Sequence, residues 1–506
     1  MAIQTAPYGT WSSPITAEAI TKGAISFADV LVDDITSEIY HIEARPSEAG
    51  RNTIVNTKTG IELTPGKDWN VRTGVHEYGG APAIVYNGYA YFSRFTDGRV
   101  YRVKGGEEPE AVTPESTVRR FAKFDVHPKH NHLLVSILED HTVDEPSAIV
   151  NSLCIINTTT KTVHPLVSGA DFYASPKFSP DGTRIAWQQW DHPDMPWEGG
   201  QIYVTNVTIE SDTISVQNTL HIAGEAKKVS AAFPSWANND TLIFTSDESG
   251  YINPWKYQDG KASPIFPKPV EQEFGVPLWV LQLFPYAVLD TAGRYALFVT
   301  VKDGRNGLHL VDLTGGSAPQ ALETPYVVIN HIRSVSRENH EVVFAGEKAD
   351  EESSIIKAAR IISSEPHNLA DPKRVVIRGG SAGGYTVLAA LANAPDVTAF
   401  SAGTSSYGIS DLNPLAEHTH KFESHYLEKL IGGTPEEIPE ILQGELDRVV
   451  PKEQAELIYN SVKSRGGIVE YKLYEGEGHG WRQEKNIKDA LEREIGFYRG
   501  VLGLKN

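Results

Sequence analysis

The pattern of apolar and polar positions divides the chain near residue 356. Before it, short β-rich runs alternate with Gly, Asp, Asn and Pro turns, and helical periodicity is almost absent. Such a pattern predicts an all-β domain. Within it a unit recurs: an apolar residue, a polar turn, then a strand of alternating apolar residues. The clearest copies are Val126–Val135, Phe178–Trp187 and Trp236–Phe244, and looser ones begin near Val30, Val85, Ala287 and Val335. Most starts lie about 50 residues apart, and six are followed by a further strand, as at Asn52–Asn56, Val100–Val103, Gln201–Val204 and Leu308–Asp312. Repeats of roughly 40–50 residues with several strands each are what propeller blades look like in sequence. Residues 1–356 are therefore expected to form a β-propeller of seven blades, with an irregular pair of β-sandwiches as the competing arrangement.

After Ile356 helices and strands alternate. Helices are predicted at Lys357–Ser364, Gly383–Ala394, Phe422–Ile431, Lys452–Ser464 and Ile487–Val501, and strands at Arg374–Gly379, Ala399–Ser405, Ile441–Gly444 and Val469–Tyr474. Strands that alternate with helices imply a parallel sheet with helices on its faces, so residues 357–506 are expected to be a second, α/β domain.

Composition narrows the function classes. The 506 residues carry 46 Lys+Arg against 65 Asp+Glu, a net charge of −19, and the acids are spread along the chain. A phosphate-neutralising surface for nucleic acid is not expected. The N-terminus has no basic start followed by an apolar run, and no stretch approaches the roughly 20 apolar residues of a membrane span. A soluble, cytoplasmic protein without membrane contact is expected. Cys154, the one cysteine, excludes an internal disulfide and a cysteine-based zinc site, and its apolar neighbours place it in a strand core.

The strongest chemical signal is Val375–Gly384, a β-rich run that ends in Gly379-Gly380-Ser381-Ala382-Gly383 and opens a helix. In such a nucleophile elbow the serine sits on a strained turn, and the flanking residues are small because strand and helix backbones nearly touch. A serine hydroxyl needs a base, and the base needs a carboxylate to orient it. His479, in the glycine-rich loop Gly476–Trp481, is the candidate base. Asp447 is the candidate carboxylate, with Glu445 close enough to compete. The order Ser, Asp, His is that of α/β-hydrolases, and the roughly 32 residues from Asp447 to His479 suffice for one helix and one strand.

At these residues the chain resembles serine peptidases of the prolyl oligopeptidase family, in the branch of acylaminoacyl peptidases and dipeptidyl aminopeptidases. The resemblance rests on Gly379–Tyr385, Thr419–Ser424, Gln443–Asp447, Val450-Pro451 and Glu475–Gly480, and in the β-domain on His76–Pro82 and Trp190–Trp197. It implies an α/β-hydrolase domain with Ser381, Asp447 and His479 as triad, the backbone N–H of Ala382 as an oxyanion donor, and the propeller as a filter over the active site. It further implies short peptides or acyl-peptides as substrates, with neither cofactor nor metal. The residues carry no reading of oligomeric state.

The chain departs from the family in two places. Only about 25 residues separate Ile356 from Ser381, whereas βαβ units of about 30 residues should make the run before an elbow well over 100. The family's His-Gly-Gly-Pro segment, which resembles an oxyanion-hole motif, is absent, and a second shortening falls between Ile438 and Ile441. The hydrolase domain is thus expected to be incomplete, with the elbow strand at a sheet edge. Two other functions stay open on these residues: an inert propeller binding module, and a hydrolase of small esters or amides.

Overall fold

Each of the seven repeat starts falls in the first strand of a separate antiparallel sheet in the computed structural model, which describes residues 16–210, 212–348, 371, 374–393, 400–409, 419–426 and 452–504. The first strands are Ser26–Val32, Ala83–Tyr86, Arg119–Val126, Phe172–Phe178, Ala231–Trp236, Tyr286–Val288 and Tyr326–Ser336. Each sheet is a meander in which sequential strands pair, so the apolar residue and polar turn of the repeat mark the step from innermost to second strand. Neighbouring first strands pack side by side, and Ser26–Val32 meets Tyr326–Ser336 to close a ring.

The blade count needs a correction. Six sheets have three or four strands, but the seventh position holds only the hairpin Tyr326–Ser336 with Glu341–Lys348 among the described residues. Residues 349–370, which follow this hairpin, lie outside those described.

Six of the seven interfaces between neighbouring sheets are filled by an apolar cluster. Leu31, Ile54, Val85 and Phe92 join the first sheet to the second. Cys154 sits in the next cluster, fully buried as expected, and burial pushes its thiol far above the usual range. Further clusters join the remaining pairs in turn as far as the hairpin. The closing interface is crossed by charge: Arg333 donates to Asp29 Oδ1 at 2.9 Å, and His331 Nδ1 lies 3.3 Å from the same oxygen.

The inner strands share a distortion. Lys123, Ser175, Phe233 and His331 each have φ between 50° and 58°, and at each the pairing register slips. These are β-bulges, which bend a strand and redirect a side chain.

The chain forms two compact units, one of residues 26–44 and 51–349. The other holds the C-terminal residues together with residues 16–25 and 45–50, which the sequence had grouped with the propeller. The short helix Ala17–Thr21, capped by Thr16 Oγ1 on the Ala19 N–H, packs on the C-terminal helix Glu484–Val501, and Glu18 pairs with Lys488. Five residues are too few for apolar periodicity to reveal a helix.

In the C-terminal unit, strand Val376–Gly380 pairs in parallel with Ala402–Ser406. Helix Ala382–Asn393 packs on both strands, and helix Lys452–Ser464 has its expected bounds. The strand expected at Val469–Tyr474 does not form. A strand exists through its ladder partners, and these residues find none among those described, leaving Ile468 and Leu473 exposed. At the helix expected over Phe422–Ile431, residues Lys421–Glu423 form a 3-10 turn, and residues beyond 426 are outside the description. The elements expected at 357–364 and 441–444 also lie outside it, as do Asp447 and Glu445.

Candidate active site

Ser381 occupies the turn between strand Val376–Gly380 and helix Ala382–Asn393, with φ of 56°. A non-glycine residue held there carries strain that the surroundings must sustain. Its N–H donates to Ser406 O at 3.1 Å, and its carbonyl accepts from the Tyr385 N–H at 3.1 Å, so the neighbouring strand and the helix both fix it. The small residues serve close approach. A Cβ on Gly379 would run into the backbone of Gly383, and one on Gly384 into Gly408 and Ser405. Ala382 opens the helix, so its N–H belongs to the first turn, where donors have no acceptor within the helix.

His479 comes from the loop between helices Lys452–Ser464 and Glu484–Val501, and its Nε2 lies 2.8 Å from Ser381 Oγ. That distance allows the hydroxyl proton to pass to the imidazole. Glu477 shapes the loop: its carboxylate accepts from the Arg482 N–H at 3.0 Å, the Gln483 N–H at 2.8 Å and Asn486 Nδ2 at 2.9 Å. The loop is thereby tied to the start of helix Glu484–Val501. Positive φ at Gly476 and Gly480 turns the chain on either side of the histidine.

Tyr407 also belongs to the site, which sequence reasoning missed. Its ring meets His479 edge-on, with centroids 5.0 Å apart and planes at 66°, and meets Trp481 at 5.7 Å and 86°. Its backbone is left-handed, with φ of 38°. The only sequence signal is position, at the end of a predicted strand and just before Gly408.

The structure thus brings Ser381, Ala382 and His479 together, while Asp447 lies outside the described residues. Among the described residues, one group elsewhere has the composition of a metal site: ligand atoms of Glu77, Glu139 and His141 lie within 4.8 Å of one another. These groups already satisfy each other. Arg120 bridges Glu77 at 2.7 Å and Glu139 at 3.4 Å, and His141 contacts Glu139 and Asp144 at 2.7 Å each. Burial works to raise the Glu139 carboxyl, but His141, His76 and Arg120 together hold it below its ordinary value. This is an ion network organised around an arginine. No helix of the described residues is long and apolar enough to cross a membrane.

The chain is similar to several solved structures. A puromycin-hydrolyzing peptidase of Mycobacterium tuberculosis is similar over 99% of this chain and 98% of its own, with 26% identity and a TM-score of 0.84. A mutant puromycin hydrolase complexed with PGG is similar over the same shares, at 25% identity and a TM-score of 0.85. Prolyl oligopeptidase B from Galerina marginata, at 12% identity, shares the fold with a TM-score of 0.69 over 97% of this chain and 91% of its own. Among curated proteins there is no match. Residues 326–439 and 441–505, which carry Ser381 and His479, match the model of the prolyl oligopeptidase family, so that part of the chain is similar to that family.

Proposed function

We propose that the chain hydrolyses short peptides by acyl transfer through Ser381. The observation that carries this reading is the 2.8 Å contact between Ser381 Oγ and His479 Nε2 on a left-handed elbow residue. Ser381 Oγ attacks the peptide carbonyl while His479 Nε2 takes its proton. The resulting oxyanion lies against the first turn of helix Ala382–Asn393, where the Ala382 N–H donates to it and the positive end of the helix dipole favours it. His479 then gives the proton to the leaving amine. Water repeats the sequence on the acyl-enzyme and releases the acid. Asp447 holds the imidazole in the tautomer that keeps Nε2 free to accept. Similarity to two puromycin-hydrolysing proteins supports aminoacyl amides as the first substrates to try.

A fluorophosphonate probe, which captures only an activated serine, tests the assignment. Wild-type chain is expected to label, and Ser381→Ala and His479→Ala to label at background. Equal labelling of wild type and Ser381→Ala would exclude Ser381 as the nucleophile.

A further inference from the structure

The first strands of the propeller surround a cavity of about 730 Å³, within the range of small-molecule sites. Its charges are not fully matched. Among the wall residues the two buried carboxylates are both taken, Asp125 by Lys177 Nζ at 2.5 Å and Asp29 by Arg333 at 2.9 Å. Asp34 and Glu338, also on the wall, are exposed. Lys123 has a different environment: its Nζ donates to a carbonyl, Leu281 O, at 3.0 Å, and lies 5.6 Å from the Phe284 ring centre. An ammonium has three donors, and one neutral acceptor leaves most of that capacity for something else. Lys123 is also one of the left-handed bulge residues, with φ of 55°, so backbone strain is spent where this side chain is aimed.

We infer that Lys123 Nζ is the anchor of a ligand site in the propeller cavity, which receives the carboxylate of a short peptide or amino acid. The electrostatics favour an anion. Burial, and then the positive charge of Arg333, push the Lys123 ammonium down to about 7, against weaker opposition from Asp29. Lys177 adds to the like-charge crowding and Asp125 offsets it, while His331 faces Asp29 from the closing strand. A carboxylate at Nζ would supply the missing counter-charge, and above neutrality its binding would draw a proton onto the amine. The assignment does not rest on the Ser381 chemistry.

Calorimetry on the full chain carrying Ser381→Ala, so that no peptide is cut, tests the inference. Trialanine is titrated at about pH 8 in two buffers of different ionisation enthalpy, and trialaninamide serves as the probe without a carboxylate. Trialanine is expected to bind with uptake of up to about one proton, and Lys123→Gln to weaken it at least tenfold. Lys123→Arg, which keeps the charge but cannot titrate, is expected to bind with no proton uptake. Equal binding of the amide, undiminished binding in Lys123→Gln, or proton uptake persisting in Lys123→Arg would each overturn the assignment.

Discussion

The ring of Tyr407 stands edge-on to the imidazole of His479, 5.0 Å away, on a backbone that only a strained residue adopts at φ of 38°. A left-handed aromatic residue costs on the order of 1–3 kcal/mol, so its surroundings must hold it there. Gly380 is part of that support, since a Cβ on it would press into the Tyr407 ring at 2.8 Å. The contact restricts the swing of the histidine that must reach Ser381. Tyr407→Ala is expected to lower kcat about tenfold with a smaller change in KM, and Tyr407→Phe to keep near wild-type turnover, as steady-state kinetics on an aminoacyl amide will show. A Phe variant as slow as the Ala variant would assign the effect to the hydroxyl instead of the ring.

Glu477 holds the histidine loop from the other side through three accepted hydrogen bonds. Charge-assisted bonds of this kind contribute roughly 1.5–3 kcal/mol each at most, and removing the acceptor leaves two backbone donors without it. Glu477→Ala is expected to reduce Ser381 labelling strongly, and Glu477→Gln to retain part of it. Fluorophosphonate labelling rates for the two variants, compared with wild type, decide this.

The propeller ring closes on the Asp29–Arg333 pair, where the other six interfaces have apolar clusters. Asp29 is 2% exposed, so removing its partner strands a buried carboxylate. Arg333→Ala is expected to cost on the order of 3 kcal/mol, and the double variant with Asp29→Asn to cost less than the two single changes added. Urea unfolding followed by tryptophan fluorescence measures both. Strict additivity would show that the pair does not close the ring.

Lys123 makes propeller stability depend on pH. Its amine is near 7 in the folded chain against an ordinary 10.5, so between these values the unfolded chain binds more protons. Stability therefore falls as pH drops from about 10.5 towards 7, and the loss levels off below that. Relative to Lys123→Gln, wild type is expected to lose stability over that window, with parallel curves below it. Thermal unfolding between about pH 6.5 and 9.5 reads this directly; parallel curves throughout would mean that the folded amine is not depressed.

Much of this was legible in the sequence because it depends on local signals. The apolar residue and polar turn marking each inner strand, from Val30 to Val335, are features of contiguous residues, and so is the glycine spelling around Ser381. Tyr407 and Glu477 were not legible, since a ring contact and a carboxylate shared among three donors arise only once distant segments meet. The grouping of residues 45–50 with the C-terminal unit has the same origin: Gly50 abuts Arg482, a neighbour that no sequence pattern indicates. Val469–Tyr474 carries a strand's residues, and among the described residues it pairs with no neighbouring edge on which that propensity could act.

Partner edges bear on the elbow as well. Val376–Gly380 pairs on one side with Ala402–Ser406 and, among the described residues, with no strand on the other. Ile377 is the one residue of the elbow strand that is buried, while Leu391, Ile468, Leu473 and Ile495 of the same unit are exposed. We propose that a longer segment before the elbow would cover this edge. An apolar strand edge without cover exchanges its amide protons readily and recruits other chains. Amides of residues 376–380 are therefore expected to exchange much faster than those of Leu133–Asp140, a central propeller strand buried along nearly its whole length. Insertion of a family-length segment after Ile356 is expected to slow exchange at 376–380 and raise the rate of Ser381 labelling. Protection of residues 376–380 equal to that of Leu133–Asp140 in the 506-residue chain would show that the short sheet packs well as it stands, and the missing-segment proposal would fail.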